Sequence, residues 1–147
     1  MKNYYPYPKR DAVKNYFPMP NEIFSLDLSA GEISVYSFLM YCEDRKTFQC
    51  HPSYKRIGKA LRISQNTVRK YVDGLREKKL ITTEPTRITM KNGRRRNGSL
   101  HYTIRPIAEA VQYHFEQQMM RLEEEMQRQK TQKKLADYDR KHGKKAV

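Results

Sequence analysis

The stretch Ser53–Lys79 constrains the fold of this 147-residue chain more than any other, because it spells two helices with a tight turn between them. Ser53, following Pro52, is placed to cap the first helix, whose apolar residues Ile57 and Leu61 stand four apart on one face. Arg62 and Ile63 carry the chain to Ser64, a second N-cap, after which Val68, Tyr71, Val72 and Leu75 recur at helical spacing. The second helix therefore buries one stripe and leaves Gln65, Asn66, Arg69 and Lys70 on its other face. These side chains hydrogen-bond base edges or phosphates when a helix lies in a major groove.

Charge points to the same segment. The formal net charge is +14, and residues 53–105 hold 15 of the 30 Lys and Arg but only 3 of the 16 Asp and Glu. A basic excess concentrated where the paired helices lie favours a polyanionic partner, here double-stranded DNA. No stretch approaches the roughly 18 apolar residues of a membrane span, and Met1–Arg10 lacks the apolar core of a signal peptide, so a cytoplasmic protein with no membrane partner is expected. Cys42 and Cys50 read as buried thiols of a reducing compartment. With His51 they lack the spacing of a structural zinc site, and neither a metal nor another cofactor is expected. His51, His101, His114 and His142 are scattered, and the sequence has no nucleophile motif or Gly-rich phosphate loop. The chain does not read as an enzyme.

Residues 1–20 interleave Tyr4, Tyr5, Tyr7 and Tyr16 with Pro6, Pro8, Pro18 and Pro20, which predicts an extended arm. It is either a tail or a source of DNA contacts through Lys9, Arg10 and Lys14. The domain begins near Asn21, with Ile23, Phe24, Leu26 and Leu28 as apolar anchors. Ser29 and Glu32 form a capping box for a helix carrying Val35, Phe38, Leu39 and Cys42 on one side, flanked by Ile33, Tyr36 and Met40. Only Ser34, Ser37 and Tyr41 make a polar stripe, so this helix is packed on most sides. Glu43–Lys46 form its exposed exit, and Thr47–His51 a short strand.

After Lys79 the period becomes alternating. Residues 80–83 favour one strand, and Leu100, Tyr102 and Ile104 alternate with His101, Thr103 and Arg105 in a second, predicting a hairpin. Pro85 confines the first strand to an edge or a bulge. Between the strands, in Lys91–Ser99, two Asn-Gly pairs bracket Arg94, Arg95 and Arg96 as a basic tip. From Pro106 the spacing of Ile107, Val111, Phe115, Met119, Leu122 and Met126 predicts a long helix with a Glu124–Arg128 pair and a basic, frayed end from Arg140. Its stripe serves either a homodimer or packing on its own domain.

With Ile57, Leu61, Ile63, Val68 and Tyr71 at the buried positions and the small Gly58 where two helices cross, Ser53–Lys79 resembles a bacterial helix-turn-helix. It departs from that pattern in having Arg62 where glycine is frequent in the turn. Together with the hairpin, residues 21–105 resemble the winged helix-turn-helix. Asn21–Phe24, Ser29–Glu32 and His51–Ile81 are similar to winged-helix proteins of bacterial mobile elements, phages and plasmids. The resemblance implies a mainly α fold with a small β-hairpin, residues 106–147 adding a long C-terminal helix. It also implies sequence-specific binding of double-stranded DNA, with residues 65–79 as recognition helix in the major groove. Ser64, Gln65, Asn66, Thr67, Arg69 and Lys70 would then contact DNA from that helix, and Tyr54, Lys55 and Arg56 would touch its backbone. Lys91, Arg94, Arg95 and Arg96 would reach phosphates or a minor groove from the wing. A transcriptional regulator is the first expectation. A phage or plasmid replication initiator working with replication proteins is the second, and a protein-interaction scaffold the third.

Overall fold

The computed structural model describes residues 16–143. The arm's Lys9, Arg10 and Lys14, and the tail's Lys144 and Lys145, lie outside the described residues. By its internal contacts the chain divides after Ala110 into two units.

The first unit opens with a 3-10 turn, Asn21–Ser25, followed by α1, Ala30–Cys42. The predicted capping box starts α1. The Ser29 Oγ accepts from the Glu32 N–H at 3.2 Å, and the Glu32 Oε1 accepts from the Ser29 N–H at 3.0 Å. Two of the donors left free at a helix start are thereby satisfied. Ser34 and Ser37 turn their hydroxyls back onto the carbonyls of Ala30 and Ile33. Val35, Tyr36 and Leu39 are buried, with Ile33, Phe38, Met40 and Cys42 packed against the core at its margin.

Next come β1, Gln49–Cys50, α2, Tyr54–Leu61, and α3, Gln65–Glu77. Both helices are capped as the sequence predicts, Ser53 accepting from the Arg56 N–H and Ser64 from the Thr67 N–H. Both also end alike. Arg62 (φ 58°) and Lys79 (φ 65°) are left-handed, and the following residues bond back five residues along the chain, Ile63 N–H to Gly58 O and Leu80 N–H to Leu75 O, each at 3.0 Å. This closure usually places glycine at the left-handed position. Here a long cation stands at that position in both turns. α3 ends at Glu77, so the recognition helix is shorter than the expected span 65–79, with Lys78 and Lys79 forming its closing turn.

A three-stranded antiparallel sheet follows the order β1-β5-β2, where β2 is Ile81–Glu84 and β5 is His101–Ile104. β2 lies at the edge, and Pro85 falls immediately beyond it, as its missing donor requires. The wing departs from the expected nine-residue loop. β3, Arg87–Thr89, pairs with β4, Arg95–Asn97, as a second two-stranded sheet, so Arg95 and Arg96 lie on a strand and the turn itself is only Met90–Arg94. Gly93, at φ 79°, supplies the left-handed step in that turn.

Ile23, Leu26, Val35, Leu39, Ile57, Val68, Val72, Leu75, Leu80, Ile81 and Tyr102 form the core where α1, α2, α3 and the sheet meet. Phe24 is not one of its anchors. It is 82 % exposed, because the 3-10 turn presents Ile23 and Leu26 inward and its neighbour outward. Glu43, expected at an exposed exit, is half-buried. α4, Ile107–His142, adds Ala110 to the core.

In the second unit, from Val111, helix α4 displays Val111, Phe115, Met119, Leu122 and Met126, all exposed. Arg128 stands 3.9 Å from Glu124, the predicted pair, and 4.0 Å from Glu125. Such exposed pairs contribute little to stability.

Candidate nucleic-acid interface

α3 is held by its buried stripe and by one polar tie. Val68, Val72 and Leu75 are fully buried, whereas Gln65, Asn66, Arg69 and Lys70 are exposed on the opposite side. At its far end Lys78 Nζ donates to Glu32 Oε1 at 3.0 Å and to the Asp27 carbonyl at 2.9 Å. Burial pushes the Glu32 carboxyl up, but the Ser29 backbone N–H and the Lys78 ammonium outweigh it and hold the group below its usual range. α1 thus grips the end of α3 through a charge that the sequence gives no reason to suspect, since Glu32 and Lys78 are distant along the chain.

Two glycines set the closeness of that grip. A Cβ on Gly31 would stand 2.0 Å from the Tyr71 ring, and one on Gly74 would stand 2.4 Å from a Glu32 carboxylate oxygen. Gly58 is small for a reason other than the expected helix crossing. A Cβ there would meet the Ile63 carbonyl oxygen of the turn at 2.6 Å, while the nearest α3 atom, on Val68, lies at 3.6 Å.

At the start of α3 the Ser64 and Thr67 hydroxyls bond each other at 2.7 Å, and the Ser64 oxygen takes the Thr67 N–H. Ser64 therefore acts first as a cap, and Thr67 is half-buried. Gln65 opens onto a cleft of about 320 Å³ that Ser53, Tyr54, Lys55, Ile88, Arg96 and Asn97 also line. One wall is the start of α2 and the other is the wing.

The strand pairing separates the wing arginines. Arg96 faces Ile88 across the ladder and lines the cleft, whereas Arg95 faces Thr89 on the reverse side. Lys91 and Arg94 stand exposed in the turn, where the Arg94 N–H bonds the Asn92 side chain at 3.1 Å. Arg87, opposite Asn97, adds a wing cation that the sequence reading missed. Its alternation with Ile88 and Thr89 was the available signal.

The α2 residues diverge. Lys55 is exposed beside the cleft. Arg56 has its guanidinium carbon 5.8 Å from the centre of the Phe38 ring, on the α1 side. Tyr54 is half-buried, and burial together with Asp73 raises its hydroxyl pKa against the opposing pull of Arg69 and Arg76. The structure therefore gathers Lys55, Gln65 and Arg96 around one cleft, sets Asn66, Arg69 and Lys70 along the exposed face of α3, and leaves Arg56 and Arg95 facing elsewhere.

Residues 26–81 match the sequence profile of a family described as a helix-turn-helix domain. No curated protein sequence matches the chain. Among solved structures, a possible transcriptional regulator from Methanosarcina mazei is 19 % identical over 71 % of this chain and 82 % of its own, with a TM-score of 0.46. The adhesin competence repressor of Streptococcus pyogenes is 14 % identical over 81 % of this chain and 80 % of its own, at 0.40. A transcriptional regulator of the MarR family from Silicibacter pomeroyi is 18 % identical over 86 % of this chain and 78 % of its own, at 0.39. Among the described residues no helix is long and apolar enough to cross a membrane.

Proposed function

We propose that this chain binds double-stranded DNA sequence-specifically as a transcriptional regulator. The observation that carries the reading is an exposed row of Gln65, Asn66, Arg69 and Lys70 on a helix whose other face is fixed in the core, next to a wing bearing Arg87, Lys91, Arg94, Arg95 and Arg96. The match of residues 26–81 to a helix-turn-helix profile supports it.

In this reading α3 enters a major groove, where Gln65 or Asn66 bonds adenine and Arg69 or Lys70 bonds guanine or phosphate. Lys55 and the wing cations neutralise phosphates or line a narrow minor groove. With about six such contacts, affinity falls by roughly 10³ between 50 and 200 mM salt. The exposed apolar residues of α4, from Val111 to Met126, are assigned to a homodimer, and two copies would read paired half-sites.

Selection of the purified protein against a random duplex library at near-physiological salt, followed by sequencing, tests both parts. An enriched inverted repeat is the expected result. Tandem direct repeats would favour a replication initiator, and absence of enrichment would leave an interaction scaffold. Sedimentation of Leu122→Glu, expected to be monomeric, tests the dimer.

A further inference from the structure

Arg69 leaves α3 on its exposed face, but its guanidinium does not stand alone. The guanidinium carbon lies 5.9 Å from the ring centre of Tyr54, the first residue of α2. Arg69 also pulls the Tyr54 hydroxyl pKa down, against the larger effects of burial and Asp73. Tyr54 is a firm support, since it is half-buried against the core and sits in the first turn of a helix capped by Ser53. Asp73, one turn beyond Arg69, acts on the same hydroxyl and pairs with Arg76 at 3.5 Å, so the next turn of α3 holds its own cation beside an anion.

We infer that Tyr54 is a positioning residue for Arg69, fixing the direction in which its guanidinium meets a base edge. This replaces the backbone contact that sequence reasoning assigns to Tyr54, and it rests on the DNA-binding reading above. The physical basis is preorganisation. An arginine loses substantial rotamer freedom when it forms a bidentate contact, and a partner that already restricts the side chain lowers that loss. Because the support lies on α2 and the reader on α3, the turn between the two helices determines which base pair Arg69 faces. The cation–ring contact is separable from the hydroxyl, since phenylalanine keeps the ring and removes the hydroxyl.

The test uses the full chain, its selected duplex and a random duplex of equal length. Tyr54→Leu is expected to lower the cognate-to-random affinity ratio about three- to tenfold, with Tyr54→Phe, which keeps the ring, close to the wild type. In an Arg69→Ala background neither substitution should lower the ratio further. A second measurement needs no DNA. The Arg69 side-chain methylene resonances should carry a ring-current shift from Tyr54 in the wild type, and this shift should vanish in Tyr54→Leu. A purely structural or backbone-contacting Tyr54 would weaken cognate and random binding alike, or would add its effect to that of Arg69→Ala. Either outcome overturns the inference, as does an Arg69 without the ring-current shift in the wild type. If the wild type prefers no sequence, the DNA reading itself fails, and the positioning role fails with it.

Discussion

Gly58→Ala isolates the geometry of the turn on which the reading helix depends. Alanine is the better helix former by about 1 kcal/mol, so composition alone argues for stabilisation. The structure argues the reverse. The added Cβ would stand 2.6 Å from the Ile63 carbonyl oxygen, a backbone atom that no rotamer change can remove. Relief requires the turn to open, and the turn is closed by the Ile63 N–H bond to the Gly58 carbonyl at 3.0 Å. Overpacking typically costs about 1–3 kcal/mol, and the loss of that bond adds roughly 0.5–1.5 kcal/mol. After the propensity gain, a net destabilisation of about 0.5–3.5 kcal/mol remains. For a domain of this size each kcal/mol lowers Tm by roughly 4–8 °C. Thermal unfolding followed by circular dichroism should therefore show Gly58→Ala melting well below the wild type. Gly93→Ala is the control, since nothing lies within 4 Å of its Cβ position and only its φ of 79° opposes the change. A Gly58→Ala protein that melts at or above the wild-type temperature would refute the argument that the turn carbonyl dictates this glycine.

Arg62→Gly should gain stability, up to about 1 kcal/mol, by relieving the left-handed strain at φ 58°, visible as a higher urea midpoint with an unchanged slope. Glu32 has a folded-state pKa below its ordinary 4.5. Its stabilisation is therefore present above that value and is lost as pH falls through the lower folded value. Urea titrations between pH 7 and pH 3 should show a smaller acid loss in Glu32→Gln, which starts about 1.5–3 kcal/mol less stable at pH 7. An identical pH dependence in the variant would exclude the Lys78 tie as its source. Arg96→Ala, on the cleft face of the wing, should weaken cognate and random duplexes similarly and reduce the salt slope by about one. An unchanged slope would remove Arg96 from the phosphate contacts.

The two-helix motif and three helix caps were legible because each rests on neighbours within four residues. Ser29 with Glu32, Ser53 with the Arg56 N–H and Ser64 with the Thr67 N–H are contacts that composition and spacing nearly dictate. The buried face of α3 follows from the same periodicity. The wing was only half legible. The alternation around Tyr102 marked one ladder, but the alternation of Arg87, Ile88 and Thr89 signals only a strand, and its pairing with Arg95–Asn97 across the turn is set by no local pattern. Phe24 shows the limit from the other side, because hydrophobicity cannot tell which residue of a 3-10 turn faces the core.

By itself the sequence determined where helices begin, which stripe of α2 and α3 is buried and where positive charge accumulates. Those properties come from capping, periodicity and composition, all local. The tertiary structure decided what meets across long separations: Lys78 on Glu32, Tyr71 over Gly31, Arg96 across the cleft from Lys55, and Arg69 on Tyr54. Each of these joins elements whose relative placement is fixed only when α1, α2, α3 and the sheet close on one core. A side chain's partner across that core depends on crossing geometry, and crossing geometry is set by packing that no short stretch of sequence contains.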